Sequence, residues 1–232
     1  GLNPKYDKII EIGAVRVRDG EPAETFSTFV NPAKSLPARI VELTGIRDDD
    51  VAAAPYIEEI LETFLQFVGD DVLLGHNILF DYSFVKKAAV NQKLEFEKEG
   101  IDTLKICRMV MPAGEKKNLG AACVYFGIHP DTAHRALSDA MAAHLLYTEM
   151  KKRFGKEKKE LFETKSLQYK AKKEKPASKR QKQHLQDLVK YHRINVTVQI
   201  DHMSGNEISR MIDKIILNHG RIPKGREGQE QG

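Results

Sequence analysis

The chain has 232 residues, of which 41% are hydrophobic and 30% charged, enough to bury a core without metals or disulfides and too apolar for whole-chain disorder. No apolar run approaches the ~18 residues of a membrane-spanning helix. Two cysteines, Cys107 and Cys123, offer neither a disulfide framework nor a zinc-type pair, so a cytoplasmic, reducing location is expected. The formal net charge of +4 hides an asymmetry: residues 1–150 carry 16 Lys and Arg against 23 Asp and Glu, whereas residues 151–232 carry 21 against 10. Carboxylates in an acidic body suit cations, and a basic tail suits a polyanion or a solvated linker.

Taken in chain order, residues 8–18 (KIIEIGAVRVR) read as a strand, Asp19-Gly20 as a turn, and residues 24–30 as the second arm of a hairpin. Pro37 opens a short helix that Gly45 closes. Ile57, Ile60, Leu61, Phe64, Leu65 and Val68 share one face of a helix over 56–68. A buried strand over Val72–Leu74 leads into Gly75-His76-Asn77, followed by a helix over 79–90, a strand over Gly100–Ile106 and a short helix over 118–126. A last helix runs from His134 to Phe154 with Leu137, Met141 and Leu145 on one face. Residues 1–154 thus read as an α/β domain, a sheet flanked by helices. Residues 155–177 read as a Lys/Glu-rich basic linker. Residues 178–220 form a small helix–extended–helix module, with Ile194, Val196, Val198 and Ile200 alternating in the arm and Ser204 to Glu207 as a capping box. Residues 221–232 read as a disordered tail. No internal repeat is present.

Two stretches carry chemistry. His76-Asn77-Ile78-Leu79-Phe80-Asp81 lies where a strand meets a helix, the position at which α/β sheets place ligand sites. Asp81 there reads either as a charge at a helix N-terminus or as a ligand for a divalent cation. His134-Arg-Ala-Leu-Ser-Asp139 opens the last helix, so that His134 and Asp139 can approach one site from the entering loop and the first turn. Glu11, a carboxylate within an apolar strand, must be paired or face solvent.

Together GLNP, KIIEIGAVRV, FVNP, ELTGI, GHNILFD and AHRALSDA resemble, in order and spacing, the DEDDh (DnaQ-like) family of 3′–5′ exonucleases, in particular its proofreading epsilon-subunit branch. The resemblance spans Gly1 to about Phe154. It implies a ribonuclease H-like fold, a mixed sheet flanked by helices, and hydrolysis of terminal phosphodiesters of DNA to nucleoside 5′-monophosphates. It implies two Mg²⁺ or Mn²⁺ ions, with Asp81 and Asp139 as metal ligands and His134 as general base. Leu2, Leu43, Thr44, His76, Asn77 and Phe80 match positions near the substrate. For Phe80, core packing is the competing reading, and His76 can equally support its loop. The expected partners are DNA 3′ ends, preferably single-stranded, and a replicative polymerase, with no membrane.

The family's first motif, Asp-x-Glu on the first strand, is not in the chain, whose match begins at the Gly that follows it. A polypeptide starting at Gly1 is therefore expected to lack two metal carboxylates and a central strand, and to be nearly inactive and unstable. Two other functions compete: an exoribonuclease of the same family, and a nucleic-acid-binding or polymerase accessory module without catalysis.

Overall fold

The computed structural model describes residues 2–129 and 135–223. The Ile/Val run forms β1 (Glu11–Arg18), and β2 (Glu21–Phe29) returns beside it, antiparallel from Glu11 opposite Phe29 to Arg18 opposite Glu21. Asp19 and Gly20 join them at φ 53 and 87, the left-handed pair that a two-residue hairpin turn demands. Helix α1 (Ala38–Thr44) ends as expected on Gly45, at φ 71. Helix α2 (Asp48–Ala52), which no periodicity announced, starts where the Asp50 carboxylate accepts the Arg47 N–H at 2.7 Å. Helix α3 (Ile57–Val68) buries Leu61, Phe64 and Val68 along one face.

β3 (Leu73–Gly75) runs into α4 (Ile78–Gln92), and β4 (Lys98–Asp102) pairs with β3 in parallel, Gly75 opposite Asp102. The expected strand to Ile106 stops at Asp102. There the Asp102 side chain accepts the Leu104 N–H and caps α5 (Thr103–Val110), so Ile106 and Cys107 are buried from a helix instead of a strand. Asn118 caps α6 (Leu119–Tyr125) through the Ala121 N–H, and α7 (Ala136–Phe154) follows. The buried stripe of α7 is Ala142, Ala143, Leu146 and Met150, while Leu145, expected inward, is 43% exposed.

The expected linker is in part body. A 3-10 turn at Lys159–Phe162 sets Leu161 and Phe162 against the core, and β5 (Lys165–Leu167) pairs antiparallel with β4, burying Leu167. The body therefore extends to Lys173 instead of 154.

Helices flank a mixed arrangement of strands, as the resemblance implied. The β1–β2 hairpin and the β3–β4–β5 sheet share no ladder among the described residues. β1 spends one edge on β2, β3 spends one on β4, and α7 packs against both. One apolar cluster joins α3 and α4 to the hairpin through Ile12, Val30, Phe64 and Tyr82. Another joins α5, α6 and α7 through Ile106, Cys123 and Leu146. Both cysteines are free and buried, and burial first, then the neighbouring Cys123, pushes the Cys107 thiol up to about 11.

The C-terminal unit has a core of its own. Ser178 and Gln181 form a capping box at the start of α8 (Lys179–Tyr191), and Ser204 and Glu207 form the expected one at α9 (Gly205–His219). Gln181 Nε2 donates to Gly205 O at 3.1 Å and to Ser209 Oγ at 3.0 Å, so the two helices start side by side. Leu185, Leu188, Ile208, Ile212 and Ile215 meet between them, joined by Ile194 and Ile200 from the arm. The arm alternates in exposure as expected but forms no regular strand among the described residues. Most of the expected tail lies outside the described residues.

Candidate active site

Asp81 stands in the first turn of α4, just beyond the carboxyl end of β3. The chain reaches it through Asn77, at φ 68 and ψ 45, a left-handed conformation that Asn tolerates better than most residues. The Asn77 N–H donates to Asp102 Oδ1 at 2.9 Å, and the same oxygen accepts the Leu104 N–H at 3.0 Å. One carboxylate at the end of β4 thus fixes the starts of both α4 and α5.

The Asp81 carboxyl opens to solvent on one side, yet crowding by protein atoms pushes it up to about 6. A hydrogen bond to its own backbone offsets part of this rise, and the negative charges of Asp139 and Asp102 add to it. Asp139 is half-buried in the first turn of α7, its N–H donating to Arg135 O at 2.9 Å. The structure therefore brings the two expected ligands, Asp81 and Asp139, into electrostatic range and adds Asp102, which sequence reasoning missed. An Asp inside the predicted strand, two residues before Leu104, was the available sign, since Asp favours helix N-caps over strand interiors.

His134 lies outside the described residues. Glu11 accepts from Arg135 Nη2 at 2.9 Å and from the Ala136 N–H at 3.1 Å, sealing the start of α7, so the strand carboxylate is paired as expected. Arg135 also stands over the Phe29 ring, 5.2 Å from its centroid.

The expected substrate positions divide. His76 spends both ring nitrogens inside the protein, Nδ1 on Thr103 Oγ1 at 3.0 Å and Nε2 on Lys117 O at 2.7 Å. Because Lys117 O can only accept, Nε2 carries a proton. Burial lowers the imidazole's pKa, and the Thr103 hydroxyl has one proton to place between His76 Nδ1 and Gly75 O, 3.2 Å away. This geometry is that of a loop tie, one of the two readings His76 carried. Phe80 packs edge-tilted on Phe84 at 5.1 Å. The Thr44 hydroxyl donates to Ile40 O at 2.8 Å and closes its own helix. Leu2 and Leu43 are exposed apolar side chains, and the Asn77 side chain is exposed at the start of α4.

Hard divalent cations take oxygen ligands, which Asp81 and Asp139 supply. Among the described residues no group of three or more His, Cys, Asp or Glu stands close enough to hold an ion. The pair fits such an ion as part of a donor set, not as a whole one.

Comparison with known proteins decides the family. Residues 1–147 match the RNase_T family, whose description is Exonuclease. The chain belongs to this exonuclease family. Among its relatives, DNA polymerase III PolC-type of Clostridium perfringens is 39% identical over 168 residues, 72% of this chain and 12% of that protein. The PolC-type enzyme of Bacillus subtilis is 39% identical over 66% of this chain and 11% of its own length. The exonuclease chain thus spans about a tenth of these relatives. The DNA polymerase III subunit epsilon of Aquifex aeolicus is 38% identical over 60% of this chain and 70% of that protein. These relatives make the body a DnaQ-like exonuclease domain, as the motifs implied.

Among solved structures, Exonuclease X in complex with 5′ overhanging duplex DNA is 27% identical, with TM-score 0.54 over 67% of this chain and 87% of that one. E. coli Exonuclease I in complex with a dA16 oligonucleotide, 18% identical, shares the fold with TM-score 0.61 over 70% of this chain and 41% of its own. Exonucleases of the family generally use divalent metal ions. No helix among the described residues is long and apolar enough to cross a membrane.

Proposed function

We propose that the body removes nucleotides from the 3′ ends of DNA, preferably single-stranded, as the editing activity of a replicative polymerase in the cytoplasm. The observation that supports this most directly is the convergence of negative charge on Asp81 from Asp139 and Asp102. Like charges held together without a bridging cation in a folded site are costly, and a divalent ion relieves that cost.

Asp81 and Asp139 would hold part of a pair of Mg²⁺ or Mn²⁺ ions. Bound ions of this kind polarise a phosphoryl oxygen and acidify water. His134 takes the proton of the attacking water, a task that suits an imidazole titrating near neutrality. The water oxygen joins the phosphorus and the bond to the 3′ oxygen breaks. The products are a nucleoside 5′-monophosphate and a strand ending in a 3′-hydroxyl. Leu2 and Leu43, apolar and exposed, are suited to bear on the terminal bases, while Asn77 lies one helical turn before Asp81. Asp102 touches none of the reacting atoms and acts by holding Asn77.

The test is degradation of 5′-labelled single-stranded DNA with Mg²⁺ or Mn²⁺, run on this chain and on a version extended upstream through the expected first strand. Stepwise shortening from the 3′ end that His134→Ala and Asp139→Asn abolish supports the reading. Binding of DNA without cleavage by the extended version would overturn it.

A further inference from the structure

The family match ends at residue 147, which leaves the C-terminal unit outside it. Its two helices start together through Gln181, and they also end together. His192, which follows α8, donates from Nε2 to Gly220 O at 3.0 Å, and its ring lies 5.5 Å from that of His219 at the end of α9. Tyr191 and His192 form a T-shaped pair, centroids 4.9 Å apart and planes at 89°, and Tyr191 is 53% exposed. Three exposed cations, Lys190, Arg193 and Arg221, flank these rings in sequence, and none of them is in an ion pair among the described residues.

We infer that this end of the module is a binding site for single-stranded nucleic acid, with Tyr191 as a stacking platform for a base and the three cations on the phosphates. Two helix C-termini meet here, each worth about half a negative charge, so three full positive charges outweigh them. Stacking serves any base, and backbone charge serves any sequence, which makes the site sequence-tolerant. The apolar sides of both helices are already committed to the module's own core, so this polar, aromatic end is what α8 and α9 leave for a ligand.

The inference stands on the module's residues and needs no cleavage. The experiment is fluorescence anisotropy of the full chain with a labelled oligothymidylate in chelator, where the exonuclease reaction is silent. Tyr191→Ala should weaken binding at least about fivefold and Tyr191→Phe should restore it, as base stacking on aromatic side chains requires. Replacing Lys190, Arg193 and Arg221 together by Gln should flatten the salt dependence of log affinity by about two, at roughly 0.7 for each phosphate no longer neutralised. Lys105→Gln, an exposed cation on α5 of the body, should change neither. Unchanged affinity in Tyr191→Ala together with an unchanged salt slope in the triple variant would overturn the inference, as would binding of a protein partner at this end that the oligonucleotide fails to displace.

Discussion

Asp81 shows what a single carboxylate gains and loses at this position. Its folded pKa of about 6 lies above the ordinary aspartate value, first through burial and then through Asp139 and Asp102. A carboxyl raised in this way is destabilising when ionised: the cost is absent below the unfolded pKa, grows as pH rises toward 6, and is complete above it. Asp81→Asn should therefore raise the melting temperature in chelator at pH 7 and leave it unchanged near pH 4. Because one side of the group faces water, the gain should stay under about 1 kcal/mol. The same proton competes with a cation, so Mn²⁺ affinity followed by calorimetry should fall as pH drops through 6. Asp139→Asn should bring the Asp81 titration, read by NMR, part of the way back to normal, since burial remains. Asp81 and Asp139 were legible in short motifs. Asp102 was not, because its part depends on the parallel register that sets Gly75 beside it. The ties of His76 were equally hidden, since they reach Thr103 and Lys117, 27 and 41 residues away.

Elements with strong local signals form where the sequence puts them, and the exceptions have local causes. The Asp19-Gly20 hairpin, α3 and the Ser204 capping box each carry turn chemistry or a period that needs no distant partner. Residues 103–106 are rich in β-branched and apolar side chains, yet Asp102 offers its carboxylate to the Leu104 N–H and the chain turns helical. The three residues of β5, set in a lysine-rich stretch, gain a ladder only because β4 lies beside them, a tertiary effect that composition cannot show. Gly13 in β1 has a reason of the same kind: a Cβ there would run into the backbone of Ala136 and Leu137. Backbone cannot move aside as a side-chain tip does, so Gly13→Ala should cost about 3 kcal/mol or displace the start of α7, measurable by urea denaturation. In the C-terminal unit, Leu185→Ala removes one of five buried core side chains. A loss of ~2–5 kcal/mol there should unfold the unit while the body still melts cooperatively, visible as separate calorimetric transitions.

At the scale of the whole molecule, the sequence shows an acidic body and a basic tail, and the structure divides the chain into two compact units past Lys173. Residues 170–175 carry four lysines and no regular structure, so brief trypsin treatment should cut there first and leave two resistant fragments by mass spectrometry. The body has the expected mixed strands flanked by helices, and among the described residues no ladder joins β1 to β3, which leaves a seam between hairpin and sheet. Amide hydrogen exchange should register that seam directly. N–H groups of β1 bonded to β2 should exchange slowly, while those on its other edge exchange as in an open strand. Without a ladder across the seam, side-chain packing through α7 and the apolar cluster on α3 and α4 joins hairpin to sheet, so the β1–β2 ribbon should open as a foldon of its own at a free energy below that of global unfolding.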